Sequence, residues 1–205
     1  MGDSIIATMD TYDQRIYAVG KGPSATTVSI QDDVVTFGDS VLLKGMVTDI
    51  STGTKDAALA TRFPDGVPAV ADERMSEWML HVYKQFPAPS NVAGVTVKID
   101  VLDANGNYRN IGTTTSNGNG FYSFDWTPDI AGKYTVYATF AGSDAYYSSH
   151  ALTAFKVDPA ADPTPEPTEA PASLADQYLL PATGGIIAAI AVVGIAIIAL
   201  MLRKK

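Results

Sequence analysis

The carboxy-terminal segment from Leu179 to Leu202 constrains this chain most, because it contains no charged residue and only one polar side chain, Thr183. From Ile186 to Leu202 it is wholly apolar or glycine. A helix of this length reaches roughly 36 Å, more than the ~30 Å hydrocarbon core of a bilayer. Buried core helices keep a polar stripe and rarely end a chain in three basic residues. Residues 179–202 are therefore predicted to form a transmembrane helix, with lipid around Ile186 to Leu202.

The distribution of charge around this segment predicts its orientation. All 22 acidic residues precede the span, whereas Arg203, Lys204 and Lys205 follow it. Basic residues next to a span favour the cytoplasmic side of the membrane. We therefore expect residues 203–205 to form a cytoplasmic basic tail and the residues before 179 to lie outside the cell membrane.

An outward domain ahead of a single span needs an export signal. Residues 1–7 lack the basic stretch and apolar run of a signal peptide. Either the chain is tail-anchored with its domain in the cytosol, or it is the C-terminal part of a longer exported protein. The second interpretation is favoured, because a cytosolic domain contradicts the charges of the tail.

Residues 158–178 differ in composition from the rest of the chain. The stretch DPAADPTPEPTEAPAS within them holds five prolines, which disfavour helix and sheet, and acidic residues that repel one another. These features predict a Pro-rich acidic stalk. Its Thr and Ser residues either carry O-linked sugar or form an unmodified linker.

The region from residue 25 to residue 157 alternates apolar and polar residues with a period of two. Val95, Val97, Ile99 and Val101 share one strand face, and further strands are predicted at 26–30, 34–37, 40–49, 108–115, 121–127, 133–140 and 151–157. Short strands with frequent turns are typical of an all-β sandwich. An immunoglobulin-like β-sandwich is therefore predicted for residues 25–157.

Residues 51–93 interrupt this period and read as a helical insertion between two strands. Met75, Met79, Val82 and Phe86 recur at helical spacing from Asp72, the predicted N-cap, to Pro87. The amphipathic helix either packs on the sandwich, which is the favoured interpretation, or uses Trp78 and the methionines as a face for a partner.

Composition excludes several classes of function. The net charge of −8 argues against nucleic acid as a partner. The absence of cysteine excludes thiolate metal sites and thiol nucleophiles, and only His81 and His150 are available as imidazoles. We therefore expect no catalytic residues and no cofactor, so that the chain is not an enzyme.

Three local patterns suggest candidate sites in the sandwich. Asp103, Asn105 and Asn107 offer oxygens at calcium-loop spacing, although Tyr108 replaces the required glycine and a plain hairpin turn is favoured. Residues 129–134 resemble the corner of immunoglobulin-like domains at which a tyrosine hydroxyl, here that of Tyr134, binds upstream backbone. Five tyrosines are candidates for a glycan-binding face: Tyr12, Tyr17, Tyr122, Tyr146 and Tyr147.

Leu180-Pro-Ala-Thr183-Gly184 resembles the pentapeptide of bacterial sortase substrates. It stands directly before an apolar span and a basic tail, the order of a sorting signal. The resemblance implies cleavage between Thr183 and Gly184, with transfer of the Thr183 carboxyl group to a cell-wall amine.

A second resemblance covers most of the chain. Residues 20–51, 66–83, 101–113 and 127–147 are similar to the C-terminal region of archaeal surface proteins of the PQQ-binding-like β-propeller group. The resemblance implies an immunoglobulin-like domain, a Pro/Thr stalk and a membrane helix that follow a propeller. Residues 13–20 resemble the closing strand of its last blade, so residues 1–24 are expected to be a remnant strand and linker with an unpaired edge. This resemblance favours a retained helix over sortase cleavage.

Together these patterns predict a membrane-anchored cell-surface module with a structural or adhesive role and an unknown protein or glycan ligand. The alternatives are a sortase-anchored wall protein and a carbohydrate-binding accessory domain of a surface enzyme.

Overall fold

The computed structural model describes residues 5–160 and 174–203. The chain divides into two compact units, residues 1–161 and 162–205. In the second unit, helix α3 extends from Leu174 to Arg203. Most of the predicted stalk at 158–178 lies outside the described residues. Its last five residues are helical, because the segment after Ser173 contains no proline before Pro181 and consists mainly of residues that favour helix.

Residues 5–160 form strands with two short helices. The strands are β1 (Ile6–Asp10), β2 (Arg15–Val19), β3 (Ser24–Thr26), β4 (Ser29–Ile30), β5 (Val34–Thr36), β6 (Val41–Asp49), β7 (Val67–Pro68), β8 (Thr96–Leu102), β9 (Tyr108–Thr115), β10 (Phe121–Trp126), β11 (Gly132–Phe140) and β12 (Ser149–Asp158). Helix α1 is Ala57–Arg62 and helix α2 is Met75–Lys84.

The strands from β3 onward form two facing sheets, and the immunoglobulin-like β-sandwich predicted from the sequence is confirmed. In one sheet, β6 pairs with β10 and β3 and also with the short strands β4 and β7. The other sheet has the order β5-β12-β11-β8-β9, in which β5 lies parallel to β12 and the other neighbours are antiparallel. The chain from β3 to β5 thus pairs first with β6 in one sheet, through β3 and β4, and then with β12 in the other sheet, through β5.

The core follows the predicted alternation. Val97, Ile99 and Val101 of β8 are fully buried, as are Val136 and Ala138 of β11, since both strands turn the same face toward the opposite sheet. Asp100 is an exception, because it points away from that core and is still only 2% exposed. Its carboxylate accepts hydrogen bonds from Lys98 and from Asn110 beside a break in the β8–β9 register.

The predicted tyrosine corner is present at the start of β11. The Tyr134 hydroxyl accepts a hydrogen bond from the Ile130 amide at 3.2 Å and lies 3.0 Å from an Asp129 carboxylate oxygen. The ring is fully buried and stacks on Phe155 with centroids 5.4 Å apart. The corner therefore ties the turn between β10 and β11 to the core.

Tyr134→Phe is expected to lower the free energy of unfolding by about 1–3 kcal/mol, because it leaves the Ile130 amide without its acceptor. Tyr137→Phe, on the outer face of the same strand, is the control and is expected to change it by less than about 0.5 kcal/mol. Chemical denaturation of the full chain in detergent measures both. Equal stability of the two variants would show that the corner contributes nothing.

Residues 51–93 lie between β6 and β8 and contain more than the predicted helix. Helix α1 and strand β7 precede α2, and β7 pairs with β6. Asp72 was predicted as the helix N-cap, and this is wrong: it lies in a 3₁₀ turn, and α2 begins at Met75. The helix ends at Lys84, before Gln85, whose φ of 59° lies in the left-handed region.

The amino-terminal segment differs from the single unpaired strand that the resemblance implies. Residues 15–19 form β2 and pair with β1 in an antiparallel hairpin, a two-stranded sheet of its own. Residues 11–14 connect the two strands, a length that is common for a hairpin loop. One face of the hairpin is apolar and exposed and carries Ala7, Met9, Ile16 and Ala18.

Candidate functional site

Helix α3 contains the one segment among the described residues that is long and apolar enough to cross a membrane. Pro181–Arg203 has a mean hydropathy of 3.0. A helix that is apolar on all sides needs an apolar surrounding, which lipid supplies. The predicted span at 179–202 thus coincides with a continuous helix.

The sortase-like motif lies inside this helix. Thr183 and Gly184 are both helical, and the Thr183 hydroxyl donates a hydrogen bond to the Leu179 carbonyl oxygen at 2.8 Å. Pro181 is also within the helix. The peptide bond between Thr183 and Gly184 is therefore part of a helical turn.

The insertion lies at the end of the sandwich where β6 finishes and β8 begins. Leu59, Val67, Val70, Trp78 and Val82 form a second buried cluster there. Met75 and Met79 pack against both this cluster and the main core. The insertion is thus joined to the sandwich by continuous apolar packing, a contribution of the order of 1.5–3 kcal/mol for each large side chain.

Asp72 connects the insertion to the loop between β11 and β12. Its carboxylate accepts hydrogen bonds from the Ser143 hydroxyl at 2.8 Å and from the amides of Asp144 and Ala145 at 2.9 and 3.2 Å. Partial desolvation raises the pKa of Asp72, but these hydrogen bonds outweigh it and leave the pKa below its usual value. The loop and the insertion therefore hold each other in place.

Lys84 connects α2 to the amino-terminal hairpin. Its ammonium group lies 2.5 Å from an Asp10 carboxylate oxygen, 2.7 Å from one of Asp13 and 4.3 Å from the centre of the Tyr17 ring. Hydrogen bonds from Lys84 and then Tyr17 lower the pKa of Asp13 to about 2. The sequence gives no signal for this cluster, because Lys84 is far from the hairpin along the chain.

Lys84→Met is expected to accelerate amide hydrogen exchange in β1 and β2 several-fold and to leave β6, β8 and β11 unchanged, because it removes the cation that both carboxylates face. Lys44→Met, an exposed lysine of β6, is the matched control. In the wild type the contribution of the Asp13 carboxylate to the stability of the hairpin is complete above its unfolded pKa of 3.8. It is lost as the pH falls through the folded pKa of about 2. Equal hairpin exchange in both variants would contradict the contact.

The interpretation of Trp78 and the methionines as a partner-binding face is wrong. Trp78 is only 5% exposed and packs edge-on against Phe63 with centroids 5.9 Å apart. The favoured alternative, packing on the sandwich, is confirmed, because α2 turns its apolar side to the second cluster. Leu80 and Phe86 are the large apolar side chains that this region leaves exposed, at 44% and 55%.

The five tyrosines predicted as candidates for a glycan-binding face do not share a surface. Tyr122 and Tyr146 are core residues, 4% and 1% exposed. Burial raises the pKa of both hydroxyls, and that of Tyr122 donates to the Thr27 carbonyl oxygen at 2.5 Å. Tyr12 and Tyr17 belong to the hairpin, and Tyr147 belongs to the loop after β11. The strand period cannot separate inward from outward tyrosines near strand ends.

Asp103, Asn105 and Asn107 form the hairpin turn between β8 and β9. One Asp103 carboxylate oxygen accepts from the amides of Asn105 and Asn107, both at 2.9 Å, and the other accepts from the Asn107 side-chain amide at 3.0 Å. The carboxylate thus stabilises the turn itself. Within residues 5–160 and 174–203, no group of three or more His, Cys, Asp or Glu residues is placed to hold a metal ion.

Comparisons with protein-family models and with curated proteins found no match. Among solved structures, a tetra-tandem repeat from the extending region of a large adhesion protein is 18% identical with a TM-score of 0.41, over 74% of this chain and 30% of that one. A CARDB domain from Pyrococcus furiosus is 12% identical with a TM-score of 0.33, over 69% of this chain and 97% of that one. A Paenibacillus cycloisomaltooligosaccharide glucanotransferase is 15% identical with a TM-score of 0.31, over 71% of this chain and 15% of that one. The fold assignment therefore depends on the sheet topology described above.

Proposed function

We propose that this chain is a membrane-anchored cell-surface module that displays its immunoglobulin-like domain outside the cell. The observation that carries the proposal is the apolar segment of helix α3 from Leu179 to Leu202, which is preceded by every acidic residue of the chain and followed by Arg203, Lys204 and Lys205. This order favours insertion with the C-terminus in the cytoplasm. Residues 158–178 then serve as the spacer between domain and membrane.

The arrangement of the sandwich supports a display role. The chain enters at the end that carries the insertion, because Ser24 of β3 pairs with Asp49 of β6. It leaves at the opposite end, where β12 finishes at Asp158. The chain therefore enters and leaves the domain at points separated by the length of its strands, about 30 Å for a strand of nine residues.

The family resemblance adds a further part to this proposal. The chain is the C-terminal part of a longer archaeal surface protein whose preceding domain is a PQQ-binding-like β-propeller, and the hairpin β1–β2 adjoins that domain. The role is structural or adhesive and not enzymatic. The sequence upstream of Met1 in the genome tests this part directly.

Protease accessibility in intact cells tests the orientation. We expect protease added outside to digest the sandwich in the native protein and to spare an epitope tag placed after Lys205. Protection of the sandwich together with digestion of the tag in intact cells would support a tail-anchored protein with its domain in the cytosol and would overturn the proposal.

The motif Leu180 to Gly184 specifically favours a second function, that of a sortase-anchored wall protein. This alternative requires release of the helix and a mature chain that ends at Thr183. The two functions differ in whether residues after Thr183 remain, so the mass of the native protein distinguishes them.

A further inference from the structure

The two segments that connect the sandwich to the rest of the chain lie side by side and run in the same direction. Gly22, in the incoming segment, forms a parallel bridge with Tyr146 before β12. At the other end of the sandwich, β5 pairs in parallel with the last residues of β12. The incoming segment and the outgoing strand are thus joined near both ends of the domain.

Hydrogen bonds join these segments at each end. At the insertion end, the Gly22 amide donates to the Ala145 carbonyl oxygen and the Tyr147 amide donates to that of Gly22, both at 2.8 Å. At the far end, the Lys156 amide donates to the Asp33 carbonyl oxygen at 2.9 Å. There the Phe37 amide also donates to the Asp158 carbonyl oxygen at 2.8 Å.

Side chains add contacts at the insertion end of the sandwich. Ser24 Oγ lies 2.7 Å from the Tyr147 carbonyl oxygen and 2.8 Å from Ser149 Oγ, and Thr26 Oγ1 lies 2.7 Å from the same Ser149 oxygen. Ser24 is 9% exposed and Thr26 is 8% exposed, so water has little access to compete for these bonds. The incoming and outgoing segments are therefore joined at residues 22–26 at the insertion end and again at residues 33–37 at the far end.

From this geometry we infer that the sandwich is a mechanical clamp that resists tension between its two chain ends. Pulling the incoming end and the outgoing end apart slides the segment of residues 22–37 along β12. The hydrogen bonds between this segment and β12 lie across the direction of pulling. All the bonds at one end of the sandwich must therefore break in the same event. Pulling the segments apart sideways would break them one after another, and each extra bond broken in the same event slows rupture by about five- to tenfold.

The load would be the force on a tethered surface domain, so this role rests on the proposed function. The clamp itself is a property of the sandwich and can be measured without a cell. Failure of the clamp test would leave the membrane topology untouched. Conversely, a cytosolic orientation would remove the load without changing the clamp.

Single-molecule force spectroscopy on the full chain in detergent tests the inference. The sequence has no cysteine, so pairs of introduced cysteines attach handles selectively. Gly20→Cys with Ala160→Cys loads the clamp along its strands, whereas Gly20→Cys with Ser148→Cys loads one end sideways. We expect a longer lifetime at constant force in the first geometry, by about tenfold or more. Equal lifetimes in the two geometries would overturn the inference.

Phe37→Pro removes one hydrogen bond of the clamp with little other change. Phe37 precedes Gly38, whose φ is 101°, in a turn closed by the Asp39 amide and the Thr36 carbonyl oxygen at 3.0 Å. That is the turn position at which proline is favoured, so the backbone accommodates it. The proline has no amide hydrogen for Asp158, whereas Phe37→Ala loses the same side chain and keeps the amide.

We expect Phe37→Pro to shorten the lifetime about five- to tenfold relative to Phe37→Ala when the chain is pulled along its strands. Under sideways loading at the insertion end, the two variants should have equal lifetimes, because the bond at Asp158 is far from the point where rupture begins. Equal lifetimes of the two variants in both geometries would contradict the clamp. A normal circular dichroism spectrum of each variant confirms that it is folded.

Discussion

Val97→Asp is expected to abolish the cooperative fold of the sandwich or to lower its melting temperature by about 10 °C or more. Val97 is fully buried in β8, within the cluster that joins the two sheets. A carboxylate there has no cation and no donor to replace water, which costs several kcal/mol. For a domain of this size each kcal/mol shifts the melting temperature by roughly 2–8 °C.

Thr96→Asp is the matched control, because it adds the same side chain one residue earlier in β8, on the exposed face. A circular dichroism melt of the full chain in detergent should show it close to the wild type. If Val97→Asp melted with the wild type, the assignment of the inner face of β8 would be wrong.

The second large effect is expected in helix α3. The double variant Ile190→Arg with Val193→Arg places two charges near the middle of the span, at about 2.5–3.5 kcal/mol each. That sum is comparable with what the Ile, Leu and Val residues of the span supply at a few tenths of a kcal/mol each. We therefore expect the double variant to lose membrane association, measured as the fraction that resists alkaline extraction.

The control Ile190→Leu with Val193→Leu keeps the span apolar and should remain in the membrane fraction like the wild type. Retention of the double-arginine variant would show that something other than α3 holds the protein in the membrane.

The intact mass of the native protein shows whether the helix is kept in the mature chain. We expect a chain that retains Ile186 to Leu202, and recovery of chains ending at Thr183 on a wall fragment would establish sortase anchoring instead.

The alternation along the strands predicted which residues face the core, and the structure confirms this for Val97, Ile99 and Val101. It did not predict which strands pair. The parallel contact of β5 with β12, on which the clamp depends, joins residues more than a hundred positions apart. A period of two identifies the inner face of a strand but contains no information about its neighbour.

In the insertion, too, the sequence predicted a local element but not its distant contacts. Helical spacing predicted the presence of α2, since its apolar residues recur every three or four positions, although Phe86, which was assigned to that pattern, lies beyond its end at Lys84. Asp72 was predicted as its cap because capping residues commonly precede helices, yet its carboxylate binds the loop at residues 143–145. A short acidic side chain can satisfy either local or distant amides, and only the position of the distant loop decides between them.

The sequence by itself determined the apolar span, the alternating strands, the tyrosine corner and the helix of the insertion. Each of these is a local pattern whose energy depends on residues a few positions apart or on solvent. Only the tertiary structure decided the roles of Lys84, Asp72 and the buried tyrosines, and the joining of the incoming segment to β12. Those contacts exist because the sheets fold on each other and bring together groups from distant parts of the chain, and no local spacing records which groups will meet.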